Sequence, residues 1–258
     1  MVKLVLLDRD VRIDGGELVS FKVGDNELIH QKGSPGWRNS DTEMFPIIGP
    51  TSESDFQVHT PRGAAVQDQH GLLRELPYQL MEQKDTEVRF RKTYTAGTRV
   101  PNSKFPQKSK AKTLFWPYDF EFEKHMVLDE VGLKITFRIS GEKNMPFMLG
   151  YHPAFRLSTK NPVVITPKSS ITLDQVLAVG NRALHVPDCN EITLNDTARL
   201  HITTTGFRHF MLWTEVPNMI CIEPITFYPY AVAQGNLDQG FQFLNQKEMA
   251  FTVHLTLL

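Results

Sequence analysis

Only two cysteines, Cys189 and Cys221, occur in 258 residues. A disulfide framework is therefore not expected to hold this fold together, and two free buried thiols suit a reducing compartment better. Charge of one sign is also scarce. The formal net charge is -1, so there is no broad basic field for nucleic acid or an anionic membrane. No apolar run is long enough to cross a bilayer. The opening Val2-Lys3-Leu4-Val5-Leu6-Leu7 is too short for a secretory signal and runs at once into Asp8, Arg9 and Asp10. Together these features predict a cytoplasmic protein with no membrane or nucleic-acid partner.

Several chemical signatures are missing as well. No two histidines stand at the spacing of a helical zinc motif, and the two cysteines are too far apart in sequence for a CxxC pair, so no metal is predicted. No glycine-rich phosphate loop opens a helix, and there is no Gly-x-Ser-x-Gly nucleophile elbow. Sustained helical periodicity is lacking too. No window carries a helical stripe longer than about ten residues, and the best helical candidate is the short segment Asp174 to Val179.

What is present is alternation. Val131, Leu133, Ile135, Phe137 and Ile139 alternate with Gly132, Lys134, Thr136 and Arg138, as in a strand with one buried face. Tyr118, Phe120 and Phe122 alternate with acidic residues just upstream, and Asp129-Glu130 is the natural turn of the hairpin between them. A third alternation runs through Met249, Phe251, Val253, Leu255 and Leu257. Asp14-Gly15-Gly16 and Gly24-Asp25-Asn26 read as turns. The hydrophobic share of 41% is ample for a sizeable core. Short sequential strands with frequent turns predict an all-β sandwich or barrel with very little helix. No repeat or linker-like shift in composition divides the chain, so residues 1–258 are expected to form one domain.

Two stretches are irregular. Gln31 to His70 is rich in Gly, Pro, Ser, Asp and Thr, and Thr95 to Lys112 carries Arg99, Lys104, Lys108, Lys110 and Lys112 without an acidic residue. The basic stretch reads first as a solvated loop and second as a lid over an anion. Trp37, Trp116 and Trp213 read as core residues before sugar-stacking ones.

Three places combine a titratable side chain with a constrained backbone: Gln69-His70-Gly71, Tyr151-His152-Pro153 and Ile222-Glu223-Pro224. A residue before proline is biased toward extended backbone, so His152 and Glu223 should each leave a strand end in a defined direction. On the second strand, Ile220 and Ile222 share one face and leave Cys221 and Glu223 on the other. A histidine with an ordinary pKa of about 6.5 and a normally ionised glutamate make a plausible acid–base pair, each worth about 10²–10⁴ in rate. The two should face each other across an open cleft, with His70 alongside.

Four segments in order resemble the aldose 1-epimerase (galactose mutarotase-like) family: Met44-Phe45-Pro46-Ile47-Ile48-Gly49, Gln69-His70-Gly71-Leu72-Leu73-Arg74, Met145-Pro146-Phe147 through His152-Pro153-Ala154-Phe155, and Cys221-Ile222-Glu223-Pro224. The resemblance implies a large twisted antiparallel β-sandwich with a sugar-binding cleft, and a cofactor-independent, metal-free interconversion of the α and β anomers of a free aldose. It implies Glu223 as the base at the C1 hydroxyl, His152 as the acid at the ring oxygen and His70 as a hydrogen-bonding partner of the sugar. The implied partner is a small-molecule sugar, taken by a monomer or homodimer.

Two departures matter. Where many members carry a sugar-contacting arginine, this chain has Pro50, which leaves Arg74 as the natural substrate-binding cation and Arg62 as a weaker one. A further acidic sugar-binding residue has no clear counterpart, Asp188 and Asp196 being weak candidates. A hexose 6-phosphate substrate, or a non-catalytic sugar-binding module, are therefore the alternatives.

Overall fold

The computed structural model describes residues 1–258. Its largest sheet has nine strands in the spatial order Ser170–Thr172, Val163–Ile165, Glu191–Asn195, Arg199–Thr205, Glu248–Leu257, Gly132–Gly141, Phe120–Leu128, Glu87–Tyr94, Gln79–Gln83. Every pair in it is antiparallel. The alternation in sequence becomes register: Phe122 pairs with Ile139 and Met126 with Ile135, while Phe251 pairs with Phe137 and Val253 with Ile135. The Asp129 carboxylate closes the hairpin by accepting the N–H groups of Val131 and Gly132, each at 2.8 Å. Val131 belongs to that turn rather than to the buried face, and is 55% exposed. The strand starts at Gly132, where any Cβ would lie 2.0 Å from the Leu255 carbonyl oxygen.

A second sheet carries Leu184–Val186, His209–Trp213, Met219–Ile225, Gly150–Tyr151 and Glu43–Met44 in that order, and Ala154–Arg156 also pairs with Met219–Ile225. The two sheets meet through side chains such as Phe137 and Tyr151, whose ring centroids are 5.0 Å apart. Four strands at the N-terminus, Val2–Leu6, Arg9–Asp14, Glu17–Val23 and Asn26–Glu27, form a sheet of their own. Sixty-two buried apolar residues make one contiguous core, and each fully buried phenylalanine in it contributes about 1.5–3 kcal/mol.

The expected all-β sandwich is what the chain forms. Helix is confined to one α-helix, Leu173–Val179, and short 3-10 turns. Thr172 and Gln175 cap that helix reciprocally, which satisfies two otherwise orphaned donors. Both cysteines are free and buried. No helix is long and apolar enough to cross a membrane.

Candidate active site

Strand register brings His152 to Glu223. Gly150 pairs with Ile225 and Ala154 with Cys221, and that same antiparallel register sets His152 opposite Glu223. Pro153 and Pro224 have no N–H to give, so the ladder between the two short pairings is interrupted there. The His152 backbone bonds instead to the other side, donating to the Thr42 carbonyl at 2.8 Å and accepting from the Thr42 N–H at 3.1 Å. The result is a buried pair with His152 Nε2 3.4 Å from Glu223 Oε1. The expectation of an acid and a base on opposite sides of a cleft is thus corrected. They are cross-strand neighbours on one wall, because residues directly opposite in antiparallel strands lie only about 4.5–5.5 Å apart at Cα.

His70 arrives by a different route. Its φ of 76° and that of Gly71, 70°, are both in the left-handed region, where a non-glycine side chain is uncommon. A Cβ on Gly71 would sit 2.2 Å from the Phe45 carbonyl oxygen, so the glycine is required by that close approach. The His70 N–H donates to Ile48 and its carbonyl accepts from Phe45. The two motif segments at 44–49 and 69–74 are therefore one hydrogen-bonded unit, and it delivers the His70 ring to within 5.2 Å of the His152 ring, edge to face.

Two tryptophans complete the wall. Trp37 stacks on His152 at 4.3 Å, and Trp213 meets it edge-on at 6.1 Å. Trp116 is in the core, as expected, but Trp37 and Trp213 line the cavity. Sequence offered no way to separate them, since all three lie in apolar or turn-like surroundings.

Burial sets the protonation of the pair. It pushes the His152 pKa down to about 3 and the Glu223 carboxyl well above the ordinary carboxylate range. His70 is likewise held well below the usual histidine range, first by burial and then by His152 and the nearby cations. Burial thus favours the uncharged form of each group, neutral imidazole beside protonated carboxyl, the reverse of a histidine kept charged near neutrality. The Nδ1 atoms of His70 and His152 are buried without a hydrogen-bond partner, a cost normally tolerated only where a ligand or a function needs the group.

The cavity in front of this wall has a volume of about 990 Å³, the upper end of the range for small-ligand pockets. Arg74 lines it, as expected, from the turn Leu73–Glu75. Arg62 does not: it pairs with Glu142 and stacks over Tyr118 at 4.3 Å. Asp188 and Asp196 do not line it either. Asp196 caps the backbone N–H groups of Ser158 and Thr159, and the acidic side chain at the cavity, apart from Glu223, is Glu215. Glu215 went unnoticed in the sequence because no proline, glycine or alternation marks it.

The basic stretch divides. Asn102 staples it down through Asp68, Ser109 and Ala111. Lys104 reaches Asp68 at 3.3 Å and the Gln69 carbonyl at 3.1 Å. Lys104 and Lys108 line the cavity, and Lys110, Lys112 and Arg99 do not. Pro50, the departure from the family's arginine noted in the sequence, lines it as well, and Arg38 supplies a cation that the sequence reading missed.

The sequence model described as aldose 1-epimerase matches residues 11–248. The chain belongs to the aldose 1-epimerase family. Among curated proteins it is similar to the chromosomal and plasmid forms of protein LacX from Lactococcus lactis, each 26% identical over 149 residues. That match covers 55% of this chain and 45% of the LacX length, so the chain matches about half of those relatives. Among solved structures, a galactose mutarotase-like protein from Lactobacillus casei superposes with a TM-score of 0.79 at 17% identity, covering 100% of both chains. A galactose mutarotase related enzyme from Lactobacillus acidophilus follows at 0.77 and 20%, covering 98% of this chain and 96% of that one. At such identities these likenesses establish the fold. In this member of the family, His152, Cys221 and Glu223 also place one potential metal-ligand atom each within 4.8 Å of one another.

Proposed function

We propose that this protein is a mutarotase that interconverts the α and β anomers of a free aldose by acid–base ring opening, acting in the cytoplasm as one domain over residues 1–258. The observation that carries this reading is the buried His152–Glu223 pair, 3.4 Å apart, on the wall of a cavity wide enough for a sugar. Ring opening needs an acceptor at the C1 hydroxyl and a donor at the ring oxygen. These two oxygens share one carbon, so neighbouring groups on one wall reach both.

Glu223 takes the proton from the C1 hydroxyl and His152 gives one to the ring oxygen. The bond from C1 to the ring oxygen breaks, C1 becomes a carbonyl, and rotation about C1–C2 exposes its other face. Closure then runs the two transfers backward. Neutral His152 beside protonated Glu223 holds as many protons as imidazolium beside carboxylate. Sugar hydroxyls donating to the carboxylate favour the ionised form, so binding readies the pair without any proton entering or leaving. His70 hydrogen-bonds the sugar with an otherwise unpartnered ring, Arg74 donates to it, and Trp37 and Trp213 offer faces for its C–H surface.

Polarimetry of freshly dissolved α-glucose and α-galactose tests this. Decay of rotation faster than buffer is expected, and wild-type rates equal to buffer over a panel of aldoses would exclude it. Arg38, Arg74, Lys104 and Lys108 around the cavity favour a second reading, in which the aldose carries a 6-phosphate. Preference for the phosphorylated sugar that fades with added salt supports that reading; indifference to the phosphate counts against it.

A further inference from the structure

Cys221 has no part in the proposed reaction, yet it shares a strand face with Glu223 and pairs opposite Ala154, two residues beyond His152. One ligand atom from each of His152, Cys221 and Glu223 lies within 4.8 Å of the others, and all three residues are buried. We propose that these three side chains form a site for a thiophilic divalent cation such as Zn²⁺, and that its occupancy switches the acid–base pair off.

The distances fit. Around a tetrahedral zinc with bonds of about 2.0–2.1 Å to nitrogen and oxygen, those two ligands stand about 3.3 Å apart. The observed separation of His152 Nε2 and Glu223 Oε1 is 3.4 Å, long for a direct N–H···O hydrogen bond. A thiolate at about 2.3 Å from the metal would lie about 3.6 Å from each of the other two ligands. The sulfur therefore has to close in by about 1.3 Å when it starts 4.8 Å from both, a distance a side-chain rotation covers. Two of the three ligands, His152 and Glu223, line the cavity, which gives the ion its way in.

Charge balances as well. Binding expels the thiol proton and the carboxyl proton to solvent, leaving Zn²⁺ with one thiolate, one carboxylate and one neutral imidazole, a group of zero net charge in a buried place. The mixed sulfur and nitrogen donor set selects Zn²⁺ over the oxygen-seeking Mg²⁺ and Ca²⁺. His152 Nδ1 has no partner, whereas a resident zinc ligand normally has its second nitrogen bonded, at a cost of about 10–100-fold in affinity when it does not. The site therefore suits an exchangeable, inhibitory ion and not a permanent one.

The metal site rests on geometry alone, and only its inhibitory consequence rests on the proposed mutarotation. Titration of the purified chain with Co²⁺ tests the site without any assay of catalysis. One equivalent should bind with a thiolate-to-cobalt charge-transfer band in the near ultraviolet, displaced by Zn²⁺ and unaffected by Mg²⁺ or Ca²⁺. C221S should lose the band and bind Zn²⁺ at least tenfold more weakly, whereas C189S, which removes the only other thiol, should keep both. No band in the wild type, or a band lost in C189S, overturns the site, and neither result depends on C221S folding. In polarimetry, Zn²⁺ should suppress the wild-type rate reversibly with chelator and spare C221S relative to its own metal-free rate. Inhibition without the band overturns the proposal. A band without any mutarotation leaves the metal site standing and removes the proposed function instead.

Discussion

Two buried acid–base clusters meet at consecutive residues of this chain and behave in opposite ways. Tyr151 points into one, where its hydroxyl donates to Asp41 at 2.8 Å, and Lys124 Nζ lies 2.5 Å from Asp41, 2.7 Å from Glu43 and 2.9 Å from the Gly16 carbonyl oxygen. His152, on the opposite face of the strand, points into the other. Burial acts on both clusters. In the first, burial works against the Lys124 charge, but Asp41 and Glu43 outweigh it and hold its pKa above the ordinary value. In the second, burial dominates: it pushes Glu223 up, and with a smaller push from the Arg74 charge it pushes His152 down. The difference teaches that burial does not make a site. A cluster whose lysine is matched by two carboxylates and a carbonyl oxygen is locked and joins the N-terminal sheet to both large ones. A pair that lines a cavity leaves both of its groups within reach of a ligand.

The contrast can be broken most sharply at Glu223. E223Q should lower the mutarotation rate by about 10²–10⁴-fold while the protein remains folded, measured by polarimetry beside circular dichroism. Activity retained within a few-fold would remove Glu223 from the chemistry. The locked cluster should respond in the opposite currency. K124M leaves two carboxylates buried without their cation, which costs about 3–5 kcal/mol and a fall in Tm on the order of 10 °C. The rate per folded molecule should hold, and a large loss of rate without loss of stability would show that the clusters are not separable.

A smaller effect tests the protonation of the pair through stability. Because the Glu223 carboxyl is raised, the native state keeps a proton that the unfolded chain releases near pH 4.3 or so. Stability from this group is therefore lost as pH rises above about 4.3. His152, lowered to about 3, has the opposite sign and adds stability as pH rises toward about 6.5. E223Q removes only the first slope, so it should melt with wild type at pH 4 and above it at pH 8. A gap independent of pH would contradict a buried, protonated Glu223. The smallest effect is expected at the rim: K108A, an exposed lysine, should raise KM for a hexose 6-phosphate only about two- to fivefold, and less in high salt.

Much of the architecture was legible in the residues themselves. The alternations at 118–122, 131–139 and 249–257 fall in paired strands, except that Tyr118 precedes the strand starting at Phe120 and Val131 is displaced into the turn because the Asp129 carboxylate captures its N–H. The short helix was found to within one residue at its start. His152, Glu223, His70 and Arg74 do converge on one cavity. Arg62 does not, having found Glu142, and Glu215, Arg38 and the two cavity tryptophans carried no local signal that distinguished them from ordinary surface or core residues.

Side-chain direction along a strand has a period of two, so the sequence by itself determined which residues share a face: Cys221 with Glu223, and Tyr151 apart from His152. It also determined, through proline and glycine, where ladders must break and where the backbone must turn at His70. Only the tertiary structure decided that His152 lies opposite Glu223, that Tyr151 completes the Lys124 cluster, and that Cys221 stands within reach of both catalytic candidates. Register between strands some seventy residues apart is set by how whole sheets pack. No local pattern encodes that, and it turned two separate strand ends into one acid–base pair on a single wall.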